Sequence, residues 1–498
     1  MAAIRALGPK QVLGLSALSH DASACVVRGA EILFAGHAER YSRRKNDPDL
    51  APGLLAEALS FGRPDLIAWY EHPLRKKLRH VRAGQFRHAV DVEDLPRRYL
   101  ARLDLPELRG VPIRYVGHHR SHAAAGHFTS GERHTAVLTA DAIGEFETFT
   151  LGEFRDGVYR VFARCRYPHS LGLLYSAFTR RCGFKPNEEE FIVMGLAALG
   201  RPRYVGQLKT DLIELTPPTF RLRRNVHRGI GDWQPRADPA DLAASIQAVT
   251  EEVLLGAARW LRSRVDAATL TVMGGLGLNC VANELLARHS GFDRVTLLPN
   301  PGDAGSSLGA AAAVLGHQLD WTGPYLGTLI EGDYPVAALA GALATRGVVG
   351  VARGRAEFGP RALGNRSLLA DPRGPDSRDR VNRVKGREPF RPFAPVVRQE
   401  VAERYFDMPV DASPYMQFTA RCREPRAFPG IVHVDGTSRV QTVTRRQHPG
   451  LYDLLGEYER RTGCPILLNT SLNLKGEPLV NDRADARRFS SRTGVPVL

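Results

Sequence analysis

Short apolar runs broken by turn residues open the chain. Val12-Leu13-Gly14-Leu15-Ser16, Ala24-Cys25-Val26-Val27 and Glu31-Ile32-Leu33-Phe34-Ala35 read as β-strands, with the polar Ser19-His20-Asp21-Ala22-Ser23 as the turn between the first two. Leu66 to Tyr70, Ile113 to Val116 and Ala136 to Ala140 continue the series. Further on, Pro239 to Arg264 carries apolar residues at helical intervals, with Asp238 placed as N-cap and Pro239 at the first helical position. That helix leads into the strand Leu270 to Met273, which ends at Gly274-Gly275. Strands alternating with helices define an α/β class.

The pattern breaks at Thr322-Gly323-Pro324 and a new unit begins around Tyr334, with a helix over Val336 to Thr345 and a strand over Val348 to Ala352. At 498 residues, two domains are expected, over 1–327 and 328–498. A hydrophobic fraction of 43% with 24% charged residues describes a globular chain. No apolar run approaches the roughly 20 residues of a membrane span, and Met1 to Lys10 lacks the apolar core of a secretory signal. Six scattered cysteines without a C-x-x-C pair fit a reducing cytoplasm.

Charge changes this picture. Sixty-eight Lys and Arg against 53 Asp and Glu leave +15, which favours phosphate-rich partners. The cations cluster from Arg75 to Arg87 and from Arg221 to Arg228. Each cluster reads equally as a solvated helix face.

The candidate chemistry begins at Val116-Gly117-His118-His119-Arg120-Ser121-His122, the start of a helix after a strand. His118 and His122 are four apart and share one helical face, while His119 points elsewhere. Asp141 closes a strand and Asp303 lies in Pro301-Gly302-Asp303-Ala304-Gly305. Two His and two Asp favour Fe(II), Mn or Zn over Ca; the alternative is a surface His pair with two turn-capping aspartates. Gly274-Gly275-Leu276-Gly277-Leu278-Asn279 and Pro301 to Gly309 form Gly-rich strand-to-helix turns of the kind that admit a nucleotide. Two in one domain suggest an actin-like ATPase lobe, whose duplication within 1–325 need not survive in sequence.

Several strings together resemble the O-carbamoyltransferases of tobramycin, cephamycin and nodulation factors: Ser19-His20-Asp21-Ala22-Ser23, Glu39-Arg40, Ser42-Arg43-Arg44-Lys45, His118-His119-Arg120-Ser121-His122, Pro168-His169-Ser170-Leu171-Gly172, Met194-Gly195-Leu196-Ala197 and the Gly274 loop. The match runs in order from about Val12 to the C-terminus. The resemblance implies an N-terminal actin-like domain similar to the metal-bearing threonylcarbamoyl-transfer subunit. It also implies a C-terminal domain similar to threonylcarbamoyl-adenylate synthases. His118, His122, Asp141 and Asp303 would be the metal ligands, with iron the family expectation. Gly274, Gly275 and Asn279 would approach nucleotide. His20, with Asp21, would assist removal of the acceptor proton, or else orient its own turn. Three departures stand out: Ala142 follows Asp141 where the family usually has Gly, Ile192 replaces a frequent Lys, and the chain stops at Leu498, slightly short of the usual family end.

In the second domain, Gly354 to Ser367 sets arginines among glycines, which offer planar forks to phosphate or carbamoyl oxygens. In Val384 to Phe393, an extended conformation would put Lys385 and Arg387 on one face. Arg439 lies in Val434 to Thr442, and Leu467 to Asn473 places Ser471 and Asn473 at a strand end. By resemblance, Arg361, Lys385, Arg387, Arg439, Ser471 and Asn473 would bind carbamoyl phosphate and ATP, with Mg²⁺ accompanying ATP. Carbamoyl adenylate would form there and pass its carbamoyl group to an acceptor hydroxyl. The charge leans the acceptor towards 5-hydroxymethylcytosine in DNA, with a small natural product such as an aminoglycoside or macrolide as alternative. A tRNA threonylcarbamoyl enzyme and a non-enzymatic nucleotide-binding regulator are the competing readings. No membrane partner is expected, and a homodimer is compatible with the chain.

Overall fold

The computed structural model describes residues 10–387, 391 and 393–498. The N-terminal segment through Pro9, and Glu388, Pro389, Phe390 and Pro392 of the Lys385 motif, lie outside the described residues. Chain segments gather into two compact units. One holds the chain up to Ser170 with Ala267–Gly277 and Thr296–Trp321; the other holds Leu171–Asp266, Leu278–Val295 and Thr322–Leu498. Compactness therefore divides the chain differently from a single boundary at 327/328, since the helices between Leu171 and Asp266 group with the C-terminal sheet.

The first unit is built on β1 (Gln11–Ser16), β2 (Ser23–Arg28), β3 (Glu31–His37), β4 (Leu66–Trp69) and β5 (Ile113–Tyr115), in the order β3-β2-β1-β4-β5. β1 pairs antiparallel with β2 and parallel with β4, and all its residues are buried, as a central strand covered on both faces requires. A second sheet repeats this plan with β6 (His134–Ala140), β7 (Glu147–Arg155), β8 (Val158–Arg166), β9 (Thr269–Met273) and β10 (Arg294–Thr296). Its order is β10-β9-β6-β7-β8, with β6–β7 and β7–β8 antiparallel and β6–β9 parallel. The repeat is the duplicated lobe expected of an actin-like domain. It survives in strand order, although no period is visible in the sequence.

Small residues let a helix sit tightly on this framework. A Cβ added to Gly309, in the helix Ser306–Leu315, would lie 1.8 Å from the Ser121 carbonyl oxygen. One added to Gly14 on β1 would lie 2.1 Å from the Ser307 carbonyl. The helix His118–Phe128 and the helix Ser306–Leu315 therefore approach backbone to backbone, which fixes the heights of His118, His122 and Asp303.

The second unit carries a mixed sheet of β11 (Val348–Ala352), β12 (Arg366–Ala370), β13 (Ala394–Arg398), β14 (Gln441–Val443) and β15 (Ile466–Ser471) in the order β11-β12-β15-β13-β14. Only β13–β14 is parallel. The long helix runs Pro239–Arg262, and Asp238 Oδ1 accepts the Ala240 N–H at 2.8 Å, the cap its sequence anticipates. The helix Ser377–Lys385 corrects an expectation: Lys385 closes a helix, and Gly386 caps it with φ of 62° in the left-handed region. Lys385 and Arg387 consequently do not share the face of a strand.

Candidate metal centre and anion pocket

His118 and His122 project from successive turns of one helix towards carboxylates at the ends of two segments of the same unit. Asp141 follows β6 directly, and Asp303 opens the turn before the helix Ser306–Leu315. His118 Nε2 and His122 Nε2 lie 3.2 and 3.0 Å from Asp141 Oδ2, and each lies 3.4 Å from Asp303 Oδ1. The two Nε2 atoms are 3.1 Å apart. Both rings are buried. Burial alone would depress these imidazoles, but Asp303 and Asp141 outweigh it and hold both above the usual range.

The donor set fits a divalent cation. Bonds of about 2.0–2.2 Å to a shared metal place neighbouring ligand atoms about 3–3.5 Å apart. The four ligand atoms, one per residue, all lie within 4.8 Å of one another. Without a cation, two Nε2–H groups directed at one carboxylate oxygen would also face each other.

The surroundings orient this cluster. His122 Nδ1 faces Ser306 Oγ at 3.3 Å, and the Tyr70 ring centroid lies 5.3 Å from that of His118. His119 turns away to Thr150 Oγ1 at 3.0 Å, as its helical position requires. Asp141 Oδ1 accepts the Ala142 N–H at 2.8 Å, so Ala in place of the family's usual Gly leaves this bond intact. Gly274 has φ of 88°, and a Cβ there would meet the Ala140 carbonyl at 2.2 Å. Gly275 directs its N–H at Asp141 Oδ1 across 3.4 Å. His20 Nδ1 lies 2.9 Å from Asp21 Oδ2, both side chains are partly exposed, and Asp21 adopts φ of 52°. Burial pushes the Asp21 carboxyl up, but His20 overrides it and leaves it below its usual value.

Asn279 belongs to the second compact unit. Its Oδ1 accepts the Ala282 N–H at 3.0 Å and so caps the helix Cys280–His289, and its amide exchanges hydrogen bonds with Gln247 at 2.9 and 3.0 Å.

In the second unit, buried Lys385 directs its ammonium into a nest of oxygens. Ser471 Oγ lies at 3.0 Å, Asn473 Oδ1 at 2.8 Å and the Asn473 carbonyl at 3.2 Å, and the Ser471 carbonyl also accepts. Arg387 Nε donates to Asn382 Oδ1 at 3.0 Å, and its guanidinium carbon sits 4.0 Å over the Phe393 ring. Arg361 and Arg439 lie close enough to Cys280 and Arg391 to feel their charge. Burial, then Arg439, pushes Arg361 down to about 9; burial likewise lowers Arg439. The Arg439 Nε is buried and meets no acceptor among the described residues. The Arg361 side chain makes no hydrogen bond or ion pair among them either. Adjacent uncompensated guanidinium groups of this kind fit an anion.

Buried amides hold these cations in place. Asn469 Nδ2 donates to Ala362 O at 3.1 Å and to Gln441 Oε1 at 2.7 Å, while Gln441 Nε2 donates to Leu363 O at 2.9 Å. This ties the Arg361 loop, the Arg439 strand and the Ser471 strand together. Glu357 Oε1 adds acceptance of the Leu363 and Asn365 N–H groups at 2.8 and 2.9 Å. Sequence reasoning missed Asn469, Gln441 and Glu357, whose only signal is a polar residue within a short apolar strand or an arginine-rich loop. It also missed Glu145, whose buried carboxylate accepts the His72 N–H and lies 3.4 Å from Arg75.

Comparison with known proteins gives a consistent outcome. The family model described as Carbamoyltransferase N-terminus matches residues 95–312, and the one described as Carbamoyltransferase C-terminus matches residues 340–498. An uncharacterised protein of Synechocystis sp. is 34% identical over 98% of this chain and 95% of its own length. Nodulation protein NolNO of Sinorhizobium fredii is 33% identical over 94% of this chain and 76% of its own. A 3'-hydroxymethylcephem-O-carbamoyltransferase of Amycolatopsis lactamdurans is 29% identical, over 96% and 95%.

Proposed function

The chain belongs to the carbamoyltransferase family, and on that premise we propose that it is an ATP-dependent O-carbamoyltransferase working through carbamoyl adenylate, with functional domains meeting at 327/328. The observation that carries this reading is a pair of sites with opposite chemistry. Residues His118, His122, Asp141 and Asp303 converge as metal donors, while Arg361 and Arg439 bring guanidinium groups together, Arg439 with a buried Nε that meets no acceptor among the described residues.

At the cationic site, carbamoyl phosphate reacts with water to give carbamate and phosphate. A carbamate oxygen then attacks the α-phosphorus of ATP, the bond to the β,γ-phosphates breaks, and pyrophosphate leaves with Mg²⁺. Arg361 and Arg439 offset the charge that two anions bring together, and Lys385 holds the Ser471–Asn473 turn that shapes the pocket. Arg387, stacked on Phe393 and hydrogen-bonded to Asn382, adds positive charge beside Lys385.

Transfer takes place at the His/Asp site of the first unit. The acceptor hydroxyl attacks the carbamoyl carbon, the bond to the AMP phosphate breaks, and His20 takes the hydroxyl proton while Asp21 orients its ring. Gly274 lets its loop close onto the Ala140 carbonyl at the end of β6, which sets Gly275 N–H beside Asp141, where the adenylate would lie. A bound divalent ion, Fe(II) by family resemblance or else Zn or Mn, would polarise the carbamoyl oxygen.

The acceptor reading shifts with the basic clusters. Lys76, Lys77 and Arg79, counted earlier towards a polyanionic partner, are turned onto internal acceptors, whereas Arg75, Arg82, Arg87, Arg221, Arg223, Arg224 and Arg228 stay exposed. The relative named as a 3'-hydroxymethylcephem-O-carbamoyltransferase makes a small-molecule hydroxyl the first reading. Hydroxymethylcytosine DNA is the second, supported by the net charge of +15. Radiolabelled carbamoyl phosphate and ATP, offered with a panel of hydroxylated natural products and with hydroxymethylcytosine DNA, separates them. Label in neither class, with no AMP released, would overturn the reading.

A further inference from the structure

The helix Pro73–Arg82 is inside out. Three of its charged residues face the protein: Arg79 is buried, Lys76 Nζ donates to the Leu18 carbonyl at 2.8 Å and pairs with Glu71, and Lys77 Nζ donates to the His88 carbonyl at 2.7 Å. Its apolar residues face water. Leu74, Leu78 and Val81, spaced at helical intervals, continue into Phe86 and Val90 of the helix Phe86–Val90, and all five are between 49% and 75% exposed. A surface helix ordinarily turns this stripe inward, so an outward stripe of this size marks a surface with a partner.

The charge around the stripe selects the partner. No Asp or Glu occurs from His72 to Val90, and Arg75, Arg82 and Arg87 are exposed beside the apolar side chains. A second copy docked through the same face would set these arginines against their own equivalents. A nucleic acid would pair with the arginines and leave Leu74, Leu78, Val81, Phe86 and Val90 uncovered. An anionic bilayer surface takes both: the leucines, valines and phenylalanine enter the acyl boundary, and the arginines reach back to lipid phosphates.

We propose that the Pro73–Val90 segment is a peripheral docking surface for anionic membranes. The helices are too short to span a bilayer, and no helix among the described residues is long and apolar enough to cross one. The docking surface adjoins the metal-donor helix. The His72 N–H and Arg75 both bind Glu145, and a Cβ on Gly117, the residue before His118, would lie 3.7 Å from Glu145 Oε2. A docked chain would thus hold its His/Asp site close to the lipid surface.

Flotation of the full chain with vesicles tests this. One set is pure phosphatidylcholine and the other contains phosphatidylglycerol. Wild type should bind the anionic vesicles at least about tenfold more tightly than the neutral ones, and salt should weaken that binding. The double variant Leu78→Glu/Phe86→Glu, placed at exposed positions, should lose about tenfold or more while keeping its melting temperature. Arg82→Gln/Arg87→Gln should lose the preference for anionic lipid. Equal binding to both vesicle sets, or unchanged binding by the Leu78/Phe86 variant, would overturn the proposal. So would a dimer, or a duplex-DNA complex, that this variant disrupts while vesicle binding is absent.

Discussion

His118 Nε2 and His122 Nε2 face each other across 3.1 Å, one helical turn apart, and Asp141 Oδ2 stands at 3.2 and 3.0 Å from them. Two imidazole nitrogens at this separation, sharing one carboxylate oxygen, form a donor set that could hold a cation. His122→Ala and Asp141→Asn should each remove bound divalent metal, measured by elemental analysis of purified protein, and lower carbamoyl transfer by about 100-fold or more. Carbamoyl-phosphate-dependent release of pyrophosphate should persist in both.

Arg361 and Arg439 crowd positive charge into a partly buried position, with no carboxylate pairing to them among the described residues. Function there opposes stability. Arg361→Gln should raise KM for carbamoyl phosphate by about tenfold or more. The unliganded variant should melt no lower than wild type, since a partly buried uncompensated cation has been removed. A clear fall in melting temperature would show that Arg361 has a structural partner.

His20 pairs with Asp21 at 2.9 Å at the edge of the first unit. His20→Asn should slow transfer by about 10²-fold while leaving pyrophosphate release intact. If both steps fall together, the histidine holds the turn rather than taking a proton.

The helix contact beneath the His/Asp site tolerates no side chain at Gly309, where a Cβ would sit 1.8 Å from the Ser121 carbonyl. Gly309→Val should destabilise the protein by about 1–3 kcal/mol, seen as a lower melting temperature, and should weaken metal binding by shifting the His118 helix. Gly256→Ala, within the helix Pro239–Arg262 and with nothing within 4 Å of the added Cβ, serves as the comparison.

His448 makes an acid-sensitive cap. Its Nδ1 accepts the Leu451 N–H at 3.0 Å and its Nε2–H reaches Asn365 Oδ1 at 2.9 Å. Burial pushes this imidazole down to about 4. A depressed folded-state value means that stability is complete above the unfolded value near 6.5 and is lost as pH falls towards 4. Between pH 7 and 5.5 the loss should be on the order of 1 kcal/mol. Thermal melts across that window should show a smaller decline for His448→Asn than for wild type.

Much of the first unit was legible because its signals are local. Four-residue spacing put His118 and His122 on one face, and strand ends placed Asp141 and Asp303; in the second unit, the Asp238-Pro239 start announced the long helix just as locally. Lys385 was misread because its motif looks extended, although Lys385-Gly386 is itself a helix-end signature, with Gly386 in the left-handed region. Asn279 pairs with Gln247 on another helix, a contact that no local sequence pattern reveals. In the Arg75–Arg87 cluster, tertiary contacts decide which side chains turn in: Glu71 and backbone carbonyls draw Lys76 and Lys77 inward, while Arg75, Arg82 and Arg87 stay exposed beside the leucines.

The central claim is that the cationic pocket joins carbamate to AMP before any acceptor is involved. Exchange of radiolabelled pyrophosphate into ATP, without acceptor, measures that step directly. Exchange should require carbamoyl phosphate, persist in His122→Ala and be lost in Lys385→Met. No exchange in wild type, or exchange untouched by Lys385→Met, would contradict it.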